Sequence, residues 1–258
     1  MAARLTSAKA VAFFRRRLRT RGSAERAAGT KAYLKSDLVF WGADLPTIRE
    51  AVSELCRANP DLPARDLRSL AEALYVSNVH ELRAAAIGVL ERERGALGED
   101  DLPWLIGLIR LSKTWAYVDW IAPKVIGDII ARYPRSKRAL RTWAKDDDFW
   151  VRRTALLAEH DALRAGGGDF ALWSEIAESM IDEREFFIRK AIGWVLREVS
   201  KKRPALTYEF LRRNRARVSN LSLHEGAKYL PAAQRKALGL PAEAAWIERE
   251  KRRRAAAS

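Results

Sequence analysis

The chain has 258 residues and a hydrophobic fraction of 48%, enough for one large folded domain. No apolar run approaches the roughly 18 residues that cross a bilayer, and the single cysteine, Cys56, excludes an internal disulfide and a cysteine-based zinc cluster. Lys and Arg number 48 against 33 Asp and Glu, a formal net charge of +15. This excess favours a polyanionic partner such as nucleic acid, and the alternative is that the cations only solvate helix faces.

The arginine-rich segment FFRRRLRTR, residues 13–21, has two interpretations. It has the composition of a mitochondrial presequence, but Val11, Phe14 and Leu18 fall on one stripe of a helix whose arginines lie elsewhere. That pattern predicts a first helix docked on a core. The sequence shows no secretory signal with a small-residue cleavage site, so a cytoplasmic location is expected.

Apolar residues recur at spacings of three and four along the chain, and no stretch alternates with period two for long enough to form a sheet. The fold is therefore predicted to be all-α, with proline and glycine dividing it into about a dozen helices. Four segments align as a repeat, at intervals of 36, 33 and 37 residues, on Leu82, Val118, Val151 and Ile188.

An interval of this size is the length of a helical hairpin, and DFWVRRTA from Asp148 resembles the D-x-x-V-R-x-x-A signature of HEAT repeats. We therefore predict a curved α-solenoid of HEAT-like helical repeats. It forms a single domain over residues 1–238, followed by a basic C-terminal tail over residues 239–258. Asp148 is predicted to be the N-cap of the helix that begins near Trp150.

The residue after each aligned aliphatic is basic in three repeats and acidic in the fourth: Arg83, Arg152, Arg189 and Asp119. If the arginines line a phosphate-binding groove, a carboxylate there opposes the binding of a polyanion and needs another role. Trp115 lies one helical turn before Asp119 on the same face, and Pro123 is expected to kink the helix one turn after it. Trp120 is predicted to be a core residue.

A carboxylate flanked by indole rings attracts a cation through its charge and through the negative ring faces. In a DNA-binding groove two cations are candidates: an alkylated purine, and the oxocarbenium-like sugar that forms as a glycosidic bond breaks. Asp119 is then the residue that stabilises the sugar cation and orients water. Trp194, on the equivalent helix two repeats later, is a candidate second wall of this site.

Four segments are similar to the HEAT-like-repeat alkylpurine DNA glycosylases of the AlkD type: KAYLKSDLVFWG, TWAYVDWIA, FWVRRTAL and EFFIRKAIGWVLREVS. The resemblance covers about residues 30–230 in the same order and spacing. It implies duplex DNA as the partner and excision of cationic N3- and N7-alkylated purines. It also implies that the lesion stays stacked in the duplex, so that no base-sized pocket is required.

Residue by residue, the resemblance implies catalytic roles for Trp115, Asp119 and Trp194. It implies a DNA-backbone contact for Arg153, and Tyr33 and Lys35 match a family segment near the DNA. The predicted DNA-binding set is completed by basic residues of the aligned repeats, namely Arg152, Arg189 and Lys190. The sequence departs from the family at Ala116–Tyr117, where a more polar or acidic pair is usual, which bears on lesion preference.

The rival hypothesis is a noncatalytic HEAT-like module that only binds DNA or a protein. A nuclease is disfavoured because the sequence shows no carboxylate cluster suited to metal ions. His80, His160 and His224 have no metal-ligand spacing, so no metal, no cofactor and no role for these histidines is predicted. The protein is expected to act as a monomer.

Overall fold

The computed structural model describes residues 5–60 and 62–242. These residues form helices and turns, with one isolated bridge between Val39 and Val79 and no strand. The contacts divide the chain into two compact units, Met1–Ser136 and Lys137–Ser258. The predicted all-α class is confirmed, whereas the single domain over residues 1–238 stays a prediction. Most of the predicted basic tail, residues 243–258, lies outside the described residues.

The first unit contains eight α-helices among its described residues. In chain order they are α1 Ser7–Arg19, α2 Ala24–Leu34, α3 Leu45–Ala58, α4 Ala64–Tyr75, α5 His80–Arg92, α6 Leu102–Leu111, α7 Trp115–Ile121 and α8 Gly127–Arg132. Side-chain caps begin several of them: Thr6, Ser23 and Asp44 each accept a hydrogen bond from a backbone N–H in the first turn of the helix that follows.

The second unit also contains eight α-helices within the part of it that the structure describes. They are α9 Arg138–Trp143, α10 Phe149–Leu157, α11 His160–Arg164, α12 Phe170–Ser179, α13 Phe186–Ser200, α14 Pro204–Arg213, α15 Asn220–Gly226 and α16 Ala232–Ala237. The N-cap predicted at Asp148 is confirmed, because its carboxylate accepts a 2.8 Å hydrogen bond from the Trp150 backbone N–H.

Helix α1 is the docked first helix that the apolar stripe predicts. Phe14 and Leu18 are fully buried, as is Ala10, while Val11 is half-buried. The helix packs against α3, α4 and α5. Burial of each large apolar side chain contributes about 1.5–3 kcal/mol, so the stripe is sufficient to hold this arginine-rich helix on the core.

The repeat alignment identifies core positions correctly. Its four aliphatic residues are fully buried and lie in α5, α7, α10 and α13: Leu82, Val118, Val151 and Ile188. Within the first unit α5 packs on α3, α4 and α7, and within the second unit α13 packs on α10, α14 and α15. Each unit is therefore built from stacked helices in repeats, which confirms the helical-repeat class.

The interruption expected at Pro123 is a π-helical turn. Helix α7 ends at Ile121, and Ala122–Ile126 form the π-helix that leads into α8. Proline has no N–H to give to the preceding turn, and widening to π geometry accommodates that loss without ending the helical path.

Candidate active site and nucleic-acid contacts

Helix α7 presents Trp115 and Asp119 on one face. The Thr114 side chain caps the helix by accepting a 3.4 Å hydrogen bond from the Ala116 backbone N–H. Tyr117 and Ile121 are buried and fix the opposite face in the core, whereas Trp115 and Asp119 are half-buried. The indole and the carboxylate thus lie one turn apart, with part of each side chain accessible.

Tyr33 contacts the same indole. It lies in the last turn of α2, and its ring meets the Trp115 ring edge-on, with centroids 5.5 Å apart and planes at 89°. The Tyr33 side chain is 70% exposed. Lys35, also exposed, follows as the C-cap of α2 with a left-handed φ of 48°. Two predicted site residues that are far apart in sequence, Tyr33 and Trp115, are therefore neighbours.

A partly buried hydrogen bond holds α7 from its inner side. The Tyr117 hydroxyl lies 2.7 Å from His80 Nδ1, and the imidazole stacks between the Tyr117 ring at 5.4 Å and the Phe40 ring at 4.7 Å. Burial lowers the pKa of His80 to about 4 and raises the pKa of Tyr117. Both groups are consequently neutral near pH 7. No role was predicted for His80 from the sequence, and the structure makes it a support for the helix that carries Asp119.

In the second unit, Trp194 is half-buried on α13 and packs against His160. Their ring centroids are 4.5 Å apart, and His160 Nδ1 lies 3.1 Å from the Asp161 carboxylate. The other ring nitrogen of His160 is buried with no hydrogen-bond partner among the described residues. No role was predicted for His160 from the sequence. It lies 34 residues before Trp194, which is the length of one repeat, and this interval predicts the contact.

Two of the three repeated arginines, Arg83 and Arg152, donate hydrogen bonds to the backbone of the loops around them. Arg83 donates to the carbonyl oxygens of Ser77 at 2.7 Å and Leu111 at 2.9 Å. Arg152 donates to the carbonyls of Asp146 at 2.7 Å and Asp147 at 2.9 Å. It also forms a two-point ion pair with Glu183 at 2.9 and 3.0 Å. The shared position therefore ties adjacent loops together, and a phosphate contact by Arg152 stays a prediction.

Of the other predicted phosphate ligands of the second unit, Arg153 and Lys190 are engaged within it. Arg153 is 2% exposed, donates to the Phe187 carbonyl and lies 5.8 Å from the Phe187 ring centroid. Lys190 pairs with Glu225 at 3.3 Å. Arg189 is half-buried, and its Nε is buried without a hydrogen-bond partner in the described part of the chain. DNA contacts by these three residues stay predictions.

Within residues 5–60 and 62–242 no group of three His, Cys, Asp or Glu side chains is placed to hold a metal ion. Over the same residues, no helix combines the length and apolarity needed to cross a membrane.

The fold and the site define a class: a helical-repeat protein in which one helix face presents an indole and a carboxylate beside a tyrosine. The model of the DNA alkylation repair enzyme family matches residues 14–230 of the chain. The chain belongs to that family. It is thus an enzyme of DNA alkylation repair, and DNA is its partner.

Similar solved structures include the following two. A predicted DNA alkylation repair enzyme from Enterococcus faecalis is 27% identical with a TM-score of 0.71, over 81% of this chain and 97% of that one. AlkD2 from Streptococcus mutans is 16% identical with a TM-score of 0.57, over 71% of this chain and 90% of that one. At 16% identity, the likeness to AlkD2 shows the fold alone. No match was found among curated proteins.

Proposed function

We propose that the protein is a DNA glycosylase that hydrolyses the N-glycosidic bond of cationic N3- and N7-alkylated purines in duplex DNA. The observation that carries the proposal is the half-exposed face of α7, where Trp115 and Asp119 lie one turn apart with the Tyr33 ring against the indole. A carboxylate beside aromatic rings favours positive charge, and both the substrate base and the sugar that forms in the reaction are positive.

The chemistry needs few protein groups. When the bond between C1′ and the purine nitrogen breaks, its electron pair returns to the cationic ring and neutralises it, so the leaving base needs no added proton. The sugar becomes oxocarbenium-like, water adds its oxygen to C1′, and the water proton passes to Asp119 or to solvent. Asp119 acts on the sugar, where charge develops, and Trp115 acts on the cationic base or sugar through its ring face.

We propose Trp194 as a further catalytic residue, because the family resemblance implies that role. Its indole in α13 is half-buried, so part of the ring is accessible to a ligand. Neutral lesions such as hypoxanthine are expected to be poor substrates, because no acid is proposed to activate a poor leaving group.

Asp119→Asn tests the proposal. The change keeps the side-chain shape and removes its charge, so base release from methylated duplex DNA should fall by about 10²-fold or more, or on the order of 3 kcal/mol. DNA affinity should stay the same or rise slightly. Release of 3-methyladenine and 7-methylguanine is measured by chromatography, and affinity is measured by fluorescence anisotropy.

Asp37→Asn is the matched control, since Asp37 is exposed just after α2 and its loss changes the net charge by the same amount. This variant should release bases at the wild-type rate. Equal rates for wild type and Asp119→Asn would refute the catalytic role, and DNA binding without base release by the wild type would favour the noncatalytic module.

A further inference from the structure

The first unit contains a cavity of about 390 Å³ between α2, α3, α5 and α7. Small-molecule sites in proteins begin at about 300 Å³, so the space suits a small bicyclic ring. Its lining is mainly apolar, with Leu34, Leu45 and Ile48 on the α2 and α3 sides and the rings of Tyr117 and Trp120 on the α7 side. Walls of this kind favour a flat aromatic ligand.

Three residues with polar side chains line the cavity beside its apolar walls: Thr30, Tyr33 and His80. The Nδ1 atom of His80 is used in the contact with the Tyr117 hydroxyl, so Nε2 is the ring nitrogen available to a ligand. The charged lining residues differ, because Arg26 donates to the Gly42 carbonyl at 2.9 Å and Asp44 caps α3 through the Thr47 N–H at 2.9 Å. Burial keeps the pKa of His80 near 4, so the imidazole is neutral at pH 7 and offers one donor or acceptor at Nε2.

The cavity adjoins the proposed active site through one side chain. Tyr33 lines the cavity and also packs edge-on against Trp115, with ring centroids 5.5 Å apart. Tyr33 is 70% exposed, so both the Trp115 face and the cavity edge that it borders are reached from the surface of α2. A ring-shaped ligand that leaves the face of Trp115 therefore has an aromatic-lined space one side chain away.

We propose that this cavity binds a free purine base, the leaving group of the reaction proposed above, on which this inference rests. A purine stacks on aromatic rings, and its ring nitrogens and exocyclic groups pair with hydroxyls and a neutral imidazole. The cavity retains the product beside the abasic site. Product release from the enzyme then depends on the residues of the cavity, which, apart from Tyr33, lie outside the proposed active site.

Calorimetric titration of the full chain with adenine and with 3-methyladenine tests this directly, without any turnover. Both purines should bind with a Kd of about 1 mM or tighter, as expected for a ligand of this size in a partly polar site. Ribose should not bind. Indole has the shape of a purine with a single polar group, and it should bind at least about 5-fold more weakly than adenine if the hydroxyls and the imidazole take part.

Two variants fill the cavity. Ala84→Leu adds a side chain from α5, where Ala84 is 4% exposed, and Ala116→Leu adds one from the half-buried position on α7. Each should weaken adenine binding at least about 10-fold, because the added isobutyl group occupies the space of the ring. Ala73→Leu, at a half-buried position of α4 away from the cavity, is the matched control and should bind adenine as the wild type does.

If Ala84→Leu fails to fold, Ala116→Leu alone tests whether adenine binds in the cavity. Adenine binding that survives Ala116→Leu, or no adenine binding by the wild type, would overturn the assignment, and indole binding as tight as adenine binding would overturn the preference for a nucleobase. The result is separable from that of the proposed function, because Asp119 does not line the cavity. Asp119→Asn should bind adenine normally, and it would do so even if it excised bases at the wild-type rate.

Discussion

At the scale of single residues, Tyr117 shows how a departure from the family pattern is accommodated. The position lies between Trp115 and Asp119 in sequence but points inward, where it is 1% exposed and hydrogen-bonded to His80. From the sequence, Ala116–Tyr117 were expected to bear on lesion preference. The structure gives Tyr117 a supporting contact and places both residues in the lining of the cavity beside the site.

The neutral, buried state of His80 predicts a pH dependence of stability. Its pKa falls from 6.5 to about 4 on folding because burial disfavours the charged ring. As the pH falls, the unfolded chain therefore takes up the proton first. The contribution of neutral His80 to the free energy of unfolding is fully present above about pH 6.5 and is lost as the pH falls toward 4. About 2 kcal/mol of it is lost between pH 7 and pH 5.

Urea unfolding at pH 7 and pH 5 measures this loss. His80→Gln keeps a polar side chain without a titrating ring, so its free energy of unfolding should fall by about 2 kcal/mol less than that of the wild type between the two pH values. His224→Gln, at an exposed histidine, is the control and should follow the wild type. Identical pH dependence in wild type and His80→Gln would show that His80 is not held neutral.

At the scale of elements, the sequence predicts the fold well because the repeat period has a direct physical meaning. An interval of 33–37 residues places two side chains at the same height of adjacent helical repeats. The aligned positions Leu82 and Val151 are accordingly buried. The same interval joins His80 to Tyr117 and Arg213 to Glu178, which are 37 and 35 residues apart. The repeat interval alone is therefore enough to predict such pairs from the sequence.

Other features could not be predicted from the repeat interval. Tyr33 and Trp115 meet although 82 residues separate them, because packing within the first unit decides that contact. Trp120 was predicted to be a core residue, but it is half-buried and donates a 2.7 Å hydrogen bond to Glu91. Spacing also cannot distinguish an arginine that binds phosphate from one that ties loops together, as Arg152 does. That distinction depends on which backbone carbonyls point at the guanidinium.

The close packing of α13 on α15 predicts the effect of a single methyl group. A Cβ at Gly193 would lie 2.8 Å from Glu225 Cβ and 3.1 Å from Ser222 Cα. Gly193→Ala should therefore separate the two helices and lower the free energy of unfolding by about 1–3 kcal/mol. Denaturant unfolding measures the change.

Gly107→Ala is the matched control, because a Cβ at that exposed position of α6 meets nothing within 4 Å. This variant should gain about 0.5–1 kcal/mol, the helix preference of alanine over glycine. If Gly193→Ala were as stable as Gly107→Ala, the contact between α13 and α15 would be looser than the structure shows.

At the scale of the whole molecule, the formal net charge is +15, although many arginines form ion pairs within the fold. Ion pairs link Arg141 to Glu175 and Arg217 to Asp182, and a phosphate that contacts either arginine has to compete with the carboxylate already paired to it. The net excess attracts a duplex of any sequence, because each phosphate contact releases condensed counterions. Cations that stay exposed and unpaired, rather than the total number of arginines, are therefore expected to set the salt dependence of binding.

Lys35 offers the clearest test of that expectation. It is exposed, follows Tyr33 by two residues and has a left-handed backbone, which asparagine also tolerates. Lys35→Asn should therefore fold normally, weaken binding to all duplexes about equally, and flatten the plot of log affinity against log salt by about one unit. Lys145→Asn changes the net charge equally at an exposed lysine followed by three aspartates, and its slope should match that of the wild type. Anisotropy titrations between 50 and 200 mM salt separate the two variants. A protein with several phosphate contacts loses about 10³–10⁵ in affinity over that range. Equal slopes for Lys35→Asn and the wild type would place Lys35 away from the DNA backbone, and a loss confined to alkylated duplexes would make it a lesion contact instead.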